Sequence, residues 1–182
     1  MQADVDSAVW AKLALVGFGL VVLLGAGWAF LTTSRVAQVV HWLYPAVAEI
    51  SAPTLAAALT QPQPPLLLDA RSPAEFDTSH LPGALRVSPD ATAETLGAQL
   101  GVLHGRSVVV YCAVGGRSAA LLERVHSTLT AAGAGSVSHL RGGIFEWQAQ
   151  ALPLVSGSGQ TTTQVHPYNW FWGRLRSSPT PV

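Results

Sequence analysis

The chain has 182 residues, 49% hydrophobic and only 11% charged, where a typical soluble domain carries roughly 25% charged residues. That composition excludes disorder as the main state, which needs low hydrophobicity and high charge. Ten Lys+Arg balance ten Asp+Glu, so no basic excess points to nucleic acid, and one cysteine excludes an internal disulfide framework or a Cys-rich metal site.

The few charges are unevenly placed. Between Lys12 and Arg35 run 22 uncharged residues, LALVGFGLVVLLGAGWAFLTTS. As a helix rising about 1.5 Å per residue, this run extends ~33 Å, enough for a hydrocarbon core of about 30 Å. It lacks the polar stripe of a soluble helix. Asp4 and Asp6 ahead of a lone Lys12, and the lack of an A-x-A site after the run, depart from a cleaved signal peptide. A tail (1–12) and an uncleaved transmembrane anchor (13–34) are therefore expected, in a single-pass chain with the lipid bilayer as one partner. Lys12 against Arg35 nearly ties the positive-inside count, and the domain is placed on the cytoplasmic side. Residues 35–49 read as an amphipathic juxtamembrane segment. Its Trp42 and Tyr44 suit either the membrane interface or packing on the next domain.

Residues 50–155 alternate strand and helix patterns. LLLDA (66–70) and SVVVYC (107–112) are short apolar runs of the kind buried on both faces of a sheet, and ALRV (84–87) and SVSHL (136–140) are weaker strand candidates. TLAAAL, TAETLGAQLGVL and RSAALLERVHSTLTAAG carry helical spacing, the last closed by Gly133. The pattern predicts an α/β fold, a parallel sheet flanked by helices on both faces. Ligands then bind beyond the carboxyl ends of the strands, where LLLDA and SVVVYC lead.

SVVVYC ends in Cys112, followed by Ala113, Val114, Gly115, Gly116, Arg117 and Ser118 and then a long helix. Backbone N–H groups of such a turn and the helix dipole favour thiolate over thiol. Arg117 adds a fixed charge and a fork of donors for an anionic substrate. Cys112 is therefore read as a nucleophile rather than a buried filler, with residues 113–118 as its substrate cradle. An exposed loop cation contributes little to stability, so Arg117 is expected to matter for transfer more than for folding.

These residues resemble the rhodanese-like sulfurtransferases, whose loop is of the Cys-x-x-Gly-x-Arg-Ser type. The resemblance extends to Asp69-Ala70-Arg71-Ser72-Pro73-Ala74-Glu75-Phe76, to His80-Leu81-Pro82-Gly83-Ala84, and to Arg141-Gly142-Gly143-Ile144-Phe145-Glu146-Trp147 with Leu152-Pro153-Leu154. Three ordered motifs over about a hundred residues are far more specific than the loop alone. Ser79, Arg86 and Ala151 depart from the family's usual glycine, asparagine and glycine. The family's phosphatase cousins have five residues between cysteine and arginine. Here there are four, Ala113 to Gly116, similar to the smaller sulfur-handling loop.

The resemblance implies double displacement. Cys112 takes a sulfane sulfur as a persulfide, and a thiophilic acceptor removes it, with no cofactor or metal. A loop whose one cation is Arg117 favours a less charged donor than thiosulfate, either a small sulfur donor or a persulfidated protein, and a membrane protein partner is a further expectation. A second class is a membrane-tethered redox-sensing or docking module, and phosphatase or arsenate reductase is a minor enzymatic alternative.

Supporting roles fall to Asp69, Arg71, Glu75 and His80. Arg71 and Glu75 stand at i,i+4, able to pair with each other or Arg71 with Asp69. Ser72 and Pro73 start a helix, and His80 fixes a turn by hydrogen bonding. Gly142 and Gly143 permit close backbone approach beside the loop, and Trp147 is core. Beyond the domain (156–182), SGSGQTTTQ reads as a flexible linker to an aromatic tail, Tyr168 to Trp172, that belongs on the membrane or on the domain surface.

Overall fold

The computed structural model describes residues 33–166, all within one unit that starts at Thr33. Its strands are β1 (Glu49–Ile50), β2 (Leu66–Asp69), β3 (Leu85–Arg86), β4 (Val108–Tyr111) and β5 (Val137–Leu140). They form one sheet in the order β1-β5-β4-β2-β3, every pair parallel. Strand alternation between two covered faces explains why Leu66–Leu68 and Val108–Val110 are apolar throughout. Leu67 and Val109 enter one buried cluster, while Leu66, Leu68, Val108 and Val110 enter the other.

Helices close both faces. Leu55 of α2 (Ala52–Leu59) and Ile144, Phe145 and Trp147 of α6 (Gly143–Ala149) cover the first cluster. Leu96 of α4 (Ala93–Leu100) and Leu121, Leu122, Val125 and Leu129 of α5 (Gly116–Ala131) cover the second. The spacing of those α5 residues is the i, i+3/i+4 stripe of an amphipathic helix. Gly133, at a φ of +85° just after the α5 cap at Ala132, stops it. The short α3 (Pro73–Thr78) starts on a full capping box between Ser72 and Glu75, with Pro73 in its first turn.

The fold is larger at both ends than the 50–155 read from the sequence. Helix α1 (Thr33–Leu43) packs on α5 and α6, burying Ala37 and Val40, while Tyr44 and Val47 pack on the second cluster. Of the two readings of segment 35–49, the structure shows packing on the domain, although Trp42 remains 78% exposed.

The polar run after Leu154 is a folded turn rather than a flexible linker. Val155 exchanges both backbone hydrogen bonds with His80, Ser156 N–H donates to Gln160 O, and Gly157 N–H donates to Asp77 O. The Gln148 amide holds Thr163 O at 2.6 Å, and Val165 is buried in the core. Satisfied backbone groups, not side-chain polarity, decide that the segment is ordered.

The aromatic run 168–172 lies outside the described residues, as does the expected anchor except Thr33 and Ser34, which begin α1. Among the described residues, no helix is long and apolar enough to cross a membrane.

Candidate active site

Asp69 of β2 and Tyr111 of β4 are register partners, so the segments that follow them leave the sheet at the same end. Cys112 sits directly beyond β4. Its Sγ accepts the Gly115 N–H at 3.2 Å. Gly115 adopts a φ of +104°, a conformation costly to other residues, and this turns its N–H back onto the sulfur. The Ser118 hydroxyl donates to Gly115 O at 2.9 Å and lies 3.7 Å from Sγ, pinning the turn. Residues Gly116 to Ser118 form the first turn of α5, where amides have no partner within the helix and the dipole is positive.

The loop is held from a second side by α6. Ile144 and Phe145 donate their N–H groups to the carbonyls of Cys112 and Ala113, at 2.9 and 3.1 Å. The loop thereby caps α6 in place of a side chain. Gly143 makes the approach possible: a Cβ there would overlap both carbonyl oxygens.

Two ion pairs frame the site, and they decide between the two pairings open to Arg71. Arg71 does not pair with Glu75. It forks onto Asp69 (Nε to Oδ1 2.9 Å, Nη2 to Oδ2 2.6 Å) and donates to Ser79 O, with both side chains buried. Burial opposes the Arg71 charge, but the Asp69 hydrogen bonds and charge outweigh it and hold the guanidinium protonated.

Glu75 pairs instead with Arg117, Nη1 to Oε2 at 2.9 Å and Nη2 to Oε1 at 2.8 Å. The same carboxylate accepts from the Ser72 N–H and hydroxyl, so one side chain both caps α3 and clasps the loop. Burial alone would raise the Glu75 carboxyl; Arg117 and Ser72 overcome it and hold the group below its ordinary range. Arg117, expected as an exposed fork for an anionic substrate, is thus committed to a carboxylate with only a quarter of its side chain exposed. Neither Arg71 nor Glu75 is a rim charge, since both are buried. His80 bonds Phe76 O through Nδ1 at 3.0 Å and stacks on the Phe76 ring, a turn-fixing role.

Sequence reasoning missed two groups near the loop. The first is His139 of β5, buried against Gly115, with Nε2 3.3 Å from Glu49 Oε1 but outside hydrogen-bond alignment and Nδ1 without a hydrogen-bond partner among the described residues. Burial pushes this imidazole below its ordinary value, against the pull of Glu49. A polar residue inside the apolar run SVSHL was its only signal. The second is α1. Val36, Val39 and Val40, on one helical face, stand across a cavity of about 340 Å3 from Cys112, Ala113 and Val114. Amphipathicity marked the segment, but nothing local showed which part of the domain it covers.

Residues 51–150 match the rhodanese-like domain family. A protein of Allochromatium vinosum named sulfurtransferase is 33% identical over 113 residues, covering 62% of this chain and 99% of that protein. A probable adenylyltransferase/sulfurtransferase of Mycobacterium tuberculosis is 34% identical over 87 residues, 48% of this chain but 21% of that protein. The crystal structure of a Bacillus halodurans protein, BH2092, superposes with a TM-score of 0.52 at 16% identity, over 65% of this chain and 84% of that one. That last likeness concerns the fold.

Proposed function

We propose, from the premise that this chain belongs to the rhodanese-like domain family, that it is a membrane-anchored sulfurtransferase working through a Cys112 persulfide. The observation that carries the reading is the Gly115 N–H on Cys112 Sγ at the start of α5, with Cys112 among the residues that line a cavity. The Cys112 thiolate attacks the outer sulfur of a donor, the donor's S–S bond breaks, and its electron pair leaves with the donor's remaining sulfur group. A thiophilic acceptor (cyanide, a thiol, a protein cysteine) then attacks the outer sulfur of the persulfide and restores the thiolate. The Gly115 amide and the first turn of α5 stabilise sulfur anions in both steps. Arg117 acts chiefly by fixing the loop through Glu75, and no residue need serve as a proton-abstracting base. Relatives named sulfurtransferases support this class of reaction.

The uncharged run 13–34 supports a bilayer anchor, with the domain on the cytoplasmic side and a small sulfur donor, a persulfidated protein or a membrane protein as partners. One observation favours the second reading, a tethered redox-sensing or docking module without significant turnover: Cys112 is only 1% exposed. Turnover separates the two. Wild-type chain should transfer sulfur from a persulfide donor to cyanide, and Cys112→Ser should fold normally and transfer none. Equal rates in both would end the sulfurtransferase reading, and folded wild type without turnover would favour the sensing module.

A further inference from the structure

The cavity over Cys112 has a composition that goes beyond sulfur transfer in general. Its floor is Cys112, Ala113 and Val114, its roof is Val36, Val39 and Val40 of α1, and Arg117 lies at one side. The cavity, about 340 Å3, falls in the roughly 300–1,000 Å3 range of sites that enclose a small organic molecule. Among the described residues that line it, Arg117 carries the one full charge. Arg117 is forked by Glu75, and Arg71 by Asp69. The partial positive charge at the start of α5, roughly half a unit, already faces the Cys112 sulfur. A dianion entering between three valines would lose its water, and Arg117, the one charged residue among the described lining, is already forked onto Glu75.

Resting on the sulfurtransferase reading above, we propose that α1 makes Cys112 selective for a small organic persulfide whose body is apolar and uncharged. The buried sulfur also disfavours a folded protein as donor. A cysteine persulfide reaches only a few bond lengths from its own backbone, and α1 keeps a second backbone away. The step is Cys112–S⁻ + R–S–SH giving Cys112–S–SH + R–S⁻: the bond between the donor's two sulfurs breaks, one to Cys112 forms, and no outside oxidant is needed. The apolar group R occupies the space between the valines and Ala113–Val114 during attack.

The test uses the full chain in mild detergent and follows by intact mass the rate at which Cys112 gains one sulfur, with Cys112→Ser as background. The donors are n-butyl persulfide, glutathione persulfide and thiosulfate. Val39 is 55% exposed and lines the cavity, so Val39→Lys places a cation there with little demand on folding. The expected result is n-butyl persulfide fastest, at least about tenfold ahead of thiosulfate in second-order rate, with Val39→Lys cutting that ratio about tenfold. Thiosulfate or glutathione persulfide matching n-butyl persulfide would overturn the selectivity and leave sulfur transfer standing. So would a ratio indifferent to Val39→Lys. Failure of every donor to load Cys112 would overturn the underlying reading and this inference with it.

Discussion

The two arginines of the site occupy opposite regimes of the same interaction. Arg71 pairs with a carboxylate two residues away, both groups are fully buried, and the pair also holds the Ser79 carbonyl. Arg117 pairs with a carboxylate 42 positions away, is partly exposed, and joins the Cys112 loop to the cap of α3. The first pair stabilises a turn at the end of β2; the second positions the loop that follows Cys112. In both, the arginine is committed to a carboxylate of the protein itself.

Breaking the first pair has the largest expected effect. Arg71→Ala strands the buried Asp69 carboxylate and should cost about 3–5 kcal/mol, read from the denaturant midpoint; a loss under about 1 kcal/mol would mean that water enters and the pair is not buried. Gly143→Ala comes next. Its Cβ must push away the Cys112 and Ala113 carbonyls that cap α6, at a cost of about 1–3 kcal/mol, and sulfur transfer should fall further than stability. Unchanged transfer would show that the loop does not depend on α6.

Glu75→Gln sharpens the comparison from the other side. The amide keeps an oxygen for Ser72 but loses the charge that clasps Arg117. A stability loss of about 1–2 kcal/mol should accompany a larger loss of turnover. The sign with pH follows from the lowered Glu75 carboxyl. Its contribution is present above the ordinary glutamate value of about 4.3 and is lost as pH falls through the lower, folded value. Wild type should therefore destabilise on acidification more steeply than Glu75→Gln, as thermal melts at several pH values would show; parallel profiles would mean the pair contributes nothing. The smallest effect is at Trp42, mostly exposed on α1, where Trp42→Ser should change domain stability by less than about 0.5 kcal/mol.

The central strands were legible because a sheet covered on both faces needs continuous apolar runs, and Leu66–Leu68 and Val108–Val110 supply them. The loop was legible through its cysteine, glycines and helix start. Three things were not. β1 has two residues, too few for any periodicity to register. The Glu75–Arg117 pair is a product of topology: the i,i+4 spacing of Arg71 and Glu75 advertises a local contact, and only the adjacency of β2 and β4 brings residue 117 to residue 75. The place of α1 was undecided because its apolar face is equally suited to lipid and to a protein surface. The same ambiguity hid the turn 156–166, whose order rests on backbone bonds that composition does not reveal.

The most direct test of the account is the mass of the intact protein after brief exposure to an organic persulfide, before and after adding cyanide. The account predicts one added sulfur, mapped to Cys112, that disappears on cyanide treatment as thiocyanate forms, with no such adduct on Cys112→Ser. A folded protein whose Cys112 acquires no sulfur, or holds one that cyanide leaves in place, would contradict it.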